Sequence, residues 1–333
     1  MPYMIWWCQK RKMLAEDMNK IDSLGKFQIP RFGGVVLIFA YIFAVCMSLV
    51  IRMIFQLDSL DMTVLYPALL SILLMSFIGY IDDTMIFTHR PIKPILGILA
   101  AIPMMSVNYD NAIIHLGLFA GGNINLGILF PILFVPVFIS LVANLFNIMA
   151  DFDGLVPGNG LLIAFSMAVI FLVSGKLTAF FILLPVIGGL IVLWKFNKFP
   201  ASIFAGETGT LGIGVILAVV AVVAERKIPL LIMFIPYIFH LFLQCRYPWD
   251  KKKLLVRPRE RGIPQPDGTI KSEYSSSYGL THLLMRHIPK LTEKKLTYCL
   301  AGIEIPFILL ALYTELPHLF FIMQHGYSSL VLK

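Results

Sequence analysis

Residues 128–154 read Ile128-Leu-Phe130-Pro-Ile-Leu-Phe-Val-Pro-Val-Phe-Ile-Ser-Leu-Val-Ala-Asn144-Leu-Phe-Asn147-Ile-Met-Ala-Asp151-Phe-Asp153-Gly154. About 20 mostly apolar residues suffice to cross a bilayer as a helix. This stretch supplies them over 128–147, then closes on two amides and two acids within eleven residues. An apolar rod with a polar tip is the unit from which the chain is read.

Comparable runs lie near 33–55, 60–81, 92–108, 158–175, 177–195, 208–224, 228–245 and 298–322, which gives nine expected crossings. Composition agrees. The chain of 333 residues is 58% hydrophobic and 14% charged, against about 25% charged in soluble domains. Its mean hydropathy is +0.83, so too little polar surface exists to cover a core in water. The expected fold is all-α: a polytopic membrane helix bundle forming one domain over 1–333, with a loop at 246–297. No repeat of 20–50 residues is visible.

The net charge of +8 does not point to nucleic acid, because of where the charges fall. With nine crossings, 22 of the 27 Lys and Arg residues lie on the side of the N-terminus and of the loops near 82–94, 145–159, 195–208 and 245–297. The positive-inside rule makes that side cytoplasmic. Cys8, Cys46, Cys245 and Cys299 are isolated and match neither a zinc site nor a disulfide framework. Buried apolar thiols are the simpler reading. The N-terminus is a poor signal peptide, since its basic residues follow the apolar run.

Within 246–281, prolines and the turn Pro266-Asp267-Gly268 argue against a continuous helix. Residues 282–297 read as an amphipathic helix near the membrane surface.

The polar clusters all fall at span ends on the side assigned as cytoplasmic. Gly79-Tyr-Ile-Asp82-Asp83 closes the second span, with Arg90 and Lys93 following. Neighbours on a helix point about 100° apart, so one carboxylate can face a metal or phosphate while the other faces elsewhere. Solvated acids at an interfacial helix end are the plain alternative. Asn144, Asn147 and Asp151 share one face by helical spacing, and Asn147 with an acid offers hard oxygen ligands suited to magnesium. The bland reading is a set of helix-ending polar residues. Pro200-Ala-Ser-Ile-Phe-Ala-Gly206-Glu207-Thr208-Gly209-Thr210 opens the seventh span. A glycine-rich turn entering a helix presents backbone N–H groups to anions, although a first-turn Glu also simply favours the helix dipole. Arg257, Arg259 and Arg261 suit diphosphate oxygens, or else anionic lipid at the surface. Acids and amides for a metal, with cations for phosphates, indicate phosphoryl chemistry on a lipid. They name no substrate. A transporter also uses intramembrane polar residues, but near the midplane and between repeats; here the acids sit at one interface.

At these residues the sequence resembles the polyprenyl-phosphate N-acetylhexosamine-1-phosphate transferases of glycosyltransferase family 4. The resemblance runs from about Asp17 to Arg261 through several motifs in family order. These are Asp17-Met-Asn19-Lys20, Ile29-Pro30 with Gly33-Gly34, Asp82-Asp83, Asn144-x-x-Asn147 with Asp153-Gly154, and Phe204-Ala-Gly206-Glu207-Thr208-Gly209. The first motif, Asn147-Ile-Met-Ala150 and Pro258-Arg-Glu-Arg-x-x-Pro264 are most like the archaeal and eukaryotic dolichyl-phosphate branch.

The resemblance implies UDP-GlcNAc and dolichyl or another polyprenyl phosphate as substrates, UMP as product, and Mg2+ (alternatively Mn2+) as cofactor. Asn147 and Glu207 resemble the metal ligands. Asp82, with Asp83 and Lys20, resembles the catalytic group. Asn144, Asp153, Lys93, Arg257, Arg259 and Arg261 resemble residues that contact substrate. Other expected partners are the bilayer and a second copy of the chain as a homodimer, not nucleic acid. The expected location is the cell membrane of an archaeon or the endoplasmic reticulum of a eukaryote. Three departures stand out. Glu207 replaces an Asp, Glu260 replaces a loop histidine that would add a cation, and the family's ten spans are nine here with only 16 residues before Asp17. The Glu207 and Glu260 departures leave an inactive family member as the further alternative.

Overall fold

Apolar runs of spanning length become helices in the computed structural model, which describes residues 1–16, 28–56, 60–85, 92–107, 109, 113–115, 123–251 and 258–315. After a short α1 (Pro2–Lys10) come α2 (Gly33–Phe55), α3 (Met62–Met85) and α4 (Ile92–Ala100). They are followed by α5 (Val135–Ile148), α6 (Leu155–Val173), α7 (Leu177–Asn197) and α8 (Gly206–Val223). The last four are α9 (Lys227–Met233), α10 (Ile235–Lys251), α11 (Leu280–His287) and α12 (Glu293–Thr314). Three two-stranded hairpins are the only sheet among the described residues: β1 (Leu14–Glu16) with β2 (Gln28–Pro30), β3 (Ile113–His115) with β4 (Asn123–Asn125), and β5 (Ile263–Pro264) with β6 (Ile270–Lys271).

Seven helices are long and apolar enough to cross a membrane, α5 being counted with the π turn Phe130–Phe134 that leads into it, and α9 with α10, bent by 57°, makes an eighth when the pair is taken as one span. The ninth expected crossing, 92–108, is a shorter element. Its α-helix ends at Ala100, and a 3-10 turn (Ile102–Ser106) with Pro103 in its first turn takes over. At 1.5 Å per residue this falls short of a bilayer core of about 30 Å as a regular helix. The stretch still carries the chain from the C-terminal end of α3 to the end where α5 begins, because the 3-10 turn packs against α3 and the turn that leads into α5.

Two surface elements also differ from expectation. The helix expected over 282–297 is two helices, because Pro289 follows the extended Ile288 and Thr292 starts α12 by accepting the Lys295 amide. The span expected to end near residue 245 runs on as α10 as far as Lys251. The Pro266-Asp267-Gly268 turn forms as expected: it joins β5 to β6, with Asp267 Oδ1 accepting the Thr269 amide and hydroxyl.

α8 is the axis of the bundle. Every residue from Thr208 to Val222 is buried, as befits a helix apolar on all sides. α3 and α5 pack most closely on it, with α2 and α7 completing the wrap. Small residues make the approach possible. A Cβ on Gly34 would fall 2.1 Å from the Gly209 nitrogen and 2.5 Å from the Ala205 oxygen. The outer helices instead turn large apolar side chains outward, such as Phe39 at 71% and Met53 at 84% exposure on α2.

Side-chain bonds identify the two ends. One end gathers the C-termini of α3, α5 and α7 with the N-termini of α6, α8 and α12, since Asp83 meets Thr208, Gly154 meets Asn197 and Asp153 meets Glu293. The opposite end is tied by Lys176–Glu225 (3.1 Å) and Arg226–Glu315 (3.0 Å).

Candidate active site

The two adjacent acids that close α3 part company. Asp83 turns into the protein and meets α8 end-on. Its Oδ1 accepts the Glu207 amide (2.8 Å), and its Oδ2 accepts the Thr208 amide (2.9 Å) and hydroxyl (2.7 Å). The α8 N-terminus, expected from sequence to offer its amides to a substrate anion, is thus served by an anion of the chain itself. Gly206 sits at φ +68°, and a Cβ there would lie 2.7 Å from Asp83 Oδ2, so glycine lets the carboxylate close on the helix. Arg31 Nε lies 3.8 Å from the same carboxylate.

Asp82 points the other way, to Lys93 at the start of α4. The Lys93 ammonium lies 2.5 Å from Asp82 Oδ2 and 3.0 Å from Glu207 Oε2. Asn147, on the last turn of α5, donates from Nδ2 to the same Glu207 oxygen (2.6 Å) and accepts the Thr210 hydroxyl on Oδ1 (2.7 Å). Asp82, Lys93, Asn147 and Glu207 therefore form one continuous cluster from four helices. Two carboxylates within reach of a single ammonium mark a spot where one positive charge is held from two sides. Among the described residues no three His, Cys, Asp or Glu side chains converge as a metal-ligand set. A divalent ion here would be met by the carboxylate oxygens of Asp82 and Glu207, and by the amide oxygen of Asn147 once that side chain turns over, since Nδ2 now faces Glu207. Substrate or water would complete the hard-oxygen shell that magnesium takes.

Glu207, Asn147 and Thr210 also line a cavity with Arg31, Asp151 and Arg261. A second hollow shares Asp151 and Arg261 and is bounded by Arg259. Arg261 Nε stands 3.7 Å from Asp151 Oδ1. The helical spacing that puts Asp151 on a face with Asn144 and Asn147 does not apply, because α5 ends at Ile148. Asp151 reaches the cavity from the turn that follows.

Other expected residues lie apart from the cluster. Asn144 donates back to the Ser140 carbonyl (2.8 Å) one turn earlier. Asp153 is 2% exposed and joins three segments: its Oδ2 accepts the Ala201 amide (2.8 Å), its amide donates to Glu293 (3.1 Å), and its carbonyl accepts the Thr297 hydroxyl (3.1 Å). Lys20 and Arg257 lie outside the described residues. Sequence reasoning missed Arg31 and Thr210 as site residues. Thr210, three residues after Glu207, could have been found from helical spacing. Arg31 carried no signal beyond its place between Pro30 and the Gly33-Gly34 pair.

Comparison with known proteins covers the same ground. The model of the family described as "Glycosyl transferase family 4" matches residues 64–225, the stretch holding Asp82, Lys93, Asn147 and Glu207. A Sulfolobus acidocaldarius protein, provisionally named a UDP-N-acetylglucosamine–dolichyl-phosphate N-acetylglucosaminephosphotransferase, is 29% identical over 93% of this chain and 90% of its own length. The Schizosaccharomyces pombe protein of that name is 25% identical over 89% of this chain and 83% of its own. A phospho-N-acetylmuramoyl-pentapeptide-transferase of Streptococcus thermophilus is 26% identical over 76% and 77%. Ordered motifs, a polar cluster at one end of an apolar bundle and this spread of relatives point the same way: over residues 64–225 the chain is similar to glycosyl transferase family 4.

Proposed function

We propose that this protein transfers GlcNAc-1-phosphate from UDP-GlcNAc to dolichyl or another polyprenyl phosphate, releasing UMP. The observation that carries the reading is the single ammonium shared by Asp82 and Glu207, with Asn147 on the same Glu207 oxygen. Such a cluster handles one concentrated positive charge at a bundle end, beside a cavity edged by Arg31 and Arg261. Phosphoryl transfer asks for this combination: placement of two phosphate groups and electrostatic relief of their charge. The relatives' names give the substrate class.

In the proposed reaction an oxygen of the lipid phosphate bonds to the β-phosphorus of UDP-GlcNAc. The bond from that phosphorus to the bridging oxygen breaks, and UMP leaves with the electron pair. Asp82 orients the attacking phosphate through Lys93; a phosphate monoester is already ionised at neutral pH, so no strong base is needed. Arg259 and Arg261 hold the diphosphate through forked hydrogen bonds. Asn147 and Glu207 would hold a magnesium ion, which neutralises charge on the diphosphate when bound. The charge bias of the loops supports a cytoplasmic site.

The test is purified protein with Mg2+, dolichyl phosphate and a panel of UDP-sugars, scored by UMP release and mass spectrometry of the lipid. UDP-GlcNAc is expected to give lipid-diphosphate-GlcNAc, and Asp82→Asn to abolish nearly all turnover. Wild-type protein that releases no UMP from UDP-GlcNAc would overturn the reading.

A further inference from the structure

Between the two arginines of the loop lies an acid that the chemistry above does not use. Burial alternates along this extended stretch: Pro258, Glu260 and Gly262 are buried, Arg259 and Ile263 are exposed, and Arg261 is half-buried. Alternation sends residue 260 to the face opposite its neighbours. Glu260 is 4% exposed. A carboxylate removed from water is costly unless its oxygens are met by donors, and here they are. Oε1 accepts Gln244 Nε2 (2.8 Å) and faces His240 Nε2 (3.4 Å), while Oε2 accepts the Thr281 hydroxyl. His240 Nδ1 accepts the Leu280 amide (3.2 Å), and its Nε2 lies beside both Gln244 Nε2 (3.1 Å) and Glu260. Burial works to raise the Glu260 carboxyl, but the hydrogen bonds from His240 and Thr281 hold it below the usual glutamate value.

The backbone beside it is pinned as well. The Arg259 amide donates to the Tyr274 hydroxyl (3.0 Å), and its carbonyl faces His282 Nε2 (2.9 Å). Gly279 leaves room for the acid, since a Cβ there would lie 2.7 Å from Glu260 Oε2. These partners come from α10, from α11 and from the segment before α11, so one side chain fixes the loop against two helices. Residue 260 therefore differs from what sequence implied. An acid is not presented to the diphosphate in place of a cation; it is turned inward.

We propose that Glu260 is a positioning residue, tying the arginine loop to α10 and α11 so that Arg259 and Arg261 meet the diphosphate of the nucleotide sugar in one orientation. This rests on the transferase reading of the site. The test measures kcat and KM for UDP-GlcNAc in wild type, Glu260→Ala, Glu260→Gln, the pair Arg259→Ala/Arg261→Ala, and the triple variant, with thermal unfolding of each. Glu260→Ala is expected to raise KM about tenfold with kcat little changed, as for lost binding in ground and transition state alike. Glu260→Gln, which keeps one acceptor, should recover most of the loss. The triple variant should be no worse than the arginine pair, because Glu260 acts only through those arginines. An unchanged KM in Glu260→Ala, or a penalty that multiplies with arginine removal, overturns the proposal. Should Glu260→Ala not fold, Thr281→Val removes a donor to the same carboxylate and carries the same expectation at smaller size. If the arginine pair itself keeps the wild-type KM, the diphosphate reading of the loop fails and the positioning role with it. If the arginines matter and Glu260 does not, only the positioning role fails.

Discussion

Lys93 holds Asp82 and Glu207 on one nitrogen, and neither acid is surrounded by water. Removing the ammonium leaves two negative charges facing each other in a partly buried cluster, which raises the cost of bringing in two more phosphates. Lys93→Met is therefore expected to lower kcat/KM for UMP release by about 100-fold, on the scale of losing one preorganised electrostatic partner. Undiminished turnover would remove Lys93 from the site. Asp82, Asn147 and Glu207 were legible in the sequence because each interrupts or closes an apolar run where a polar residue is hard to accommodate. Pattern alone marked Lys93 as a cation following Asp83, and the family resemblance placed it among the substrate contacts. That its nitrogen joins α3 to α8 follows from how α4 packs, which no local pattern encodes.

The helix ends carry a second layer of order. Asp83 caps α8 from 124 residues away, so a first-turn contact that usually comes from the neighbouring residue comes instead from another helix. Asp83→Ala should cost about 1–2 kcal/mol of stability, the range for losing a strong cap, seen as a lower thermal midpoint in detergent. It should also slow UMP release, because Glu207 sits in the turn that would fray. A midpoint equal to wild type would show the cap to be dispensable. Sequence pattern located the spans well, because hydrophobicity over about 20 residues is a collective signal. It misjudged 92–108, where Pro103 shortens the helix, and 282–297, where Pro289 splits one expected helix into two. Proline acts through backbone geometry at a single residue, and averaging over a window hides it. The capping partnership left no trace in the pattern, since Asp82-Asp83 reads as one motif until folding sends its members to different places.

At the scale of the whole molecule the bundle is polarised. One end carries the acids, amides and arginines of the candidate site, and the other is closed by the Lys176–Glu225 and Arg226–Glu315 pairs. With the native cysteines replaced, Ser202→Cys at the site end should react with a membrane-impermeant maleimide only after the cytoplasmic face is opened. Asn125→Cys, in the hairpin before α5, should react from the opposite side of the same sealed membrane; the reverse pattern would invert the orientation inferred from the loop charges. The wrapping of α8 has one further effect. At the rim of the bundle, extra bulk meets fluid acyl chains that can move aside, and shape errors there are forgiven. Along the enclosed axis each side chain has only another helix beside it, so a change of size must be taken up by α2, α3, α5 and α7 and not by the membrane.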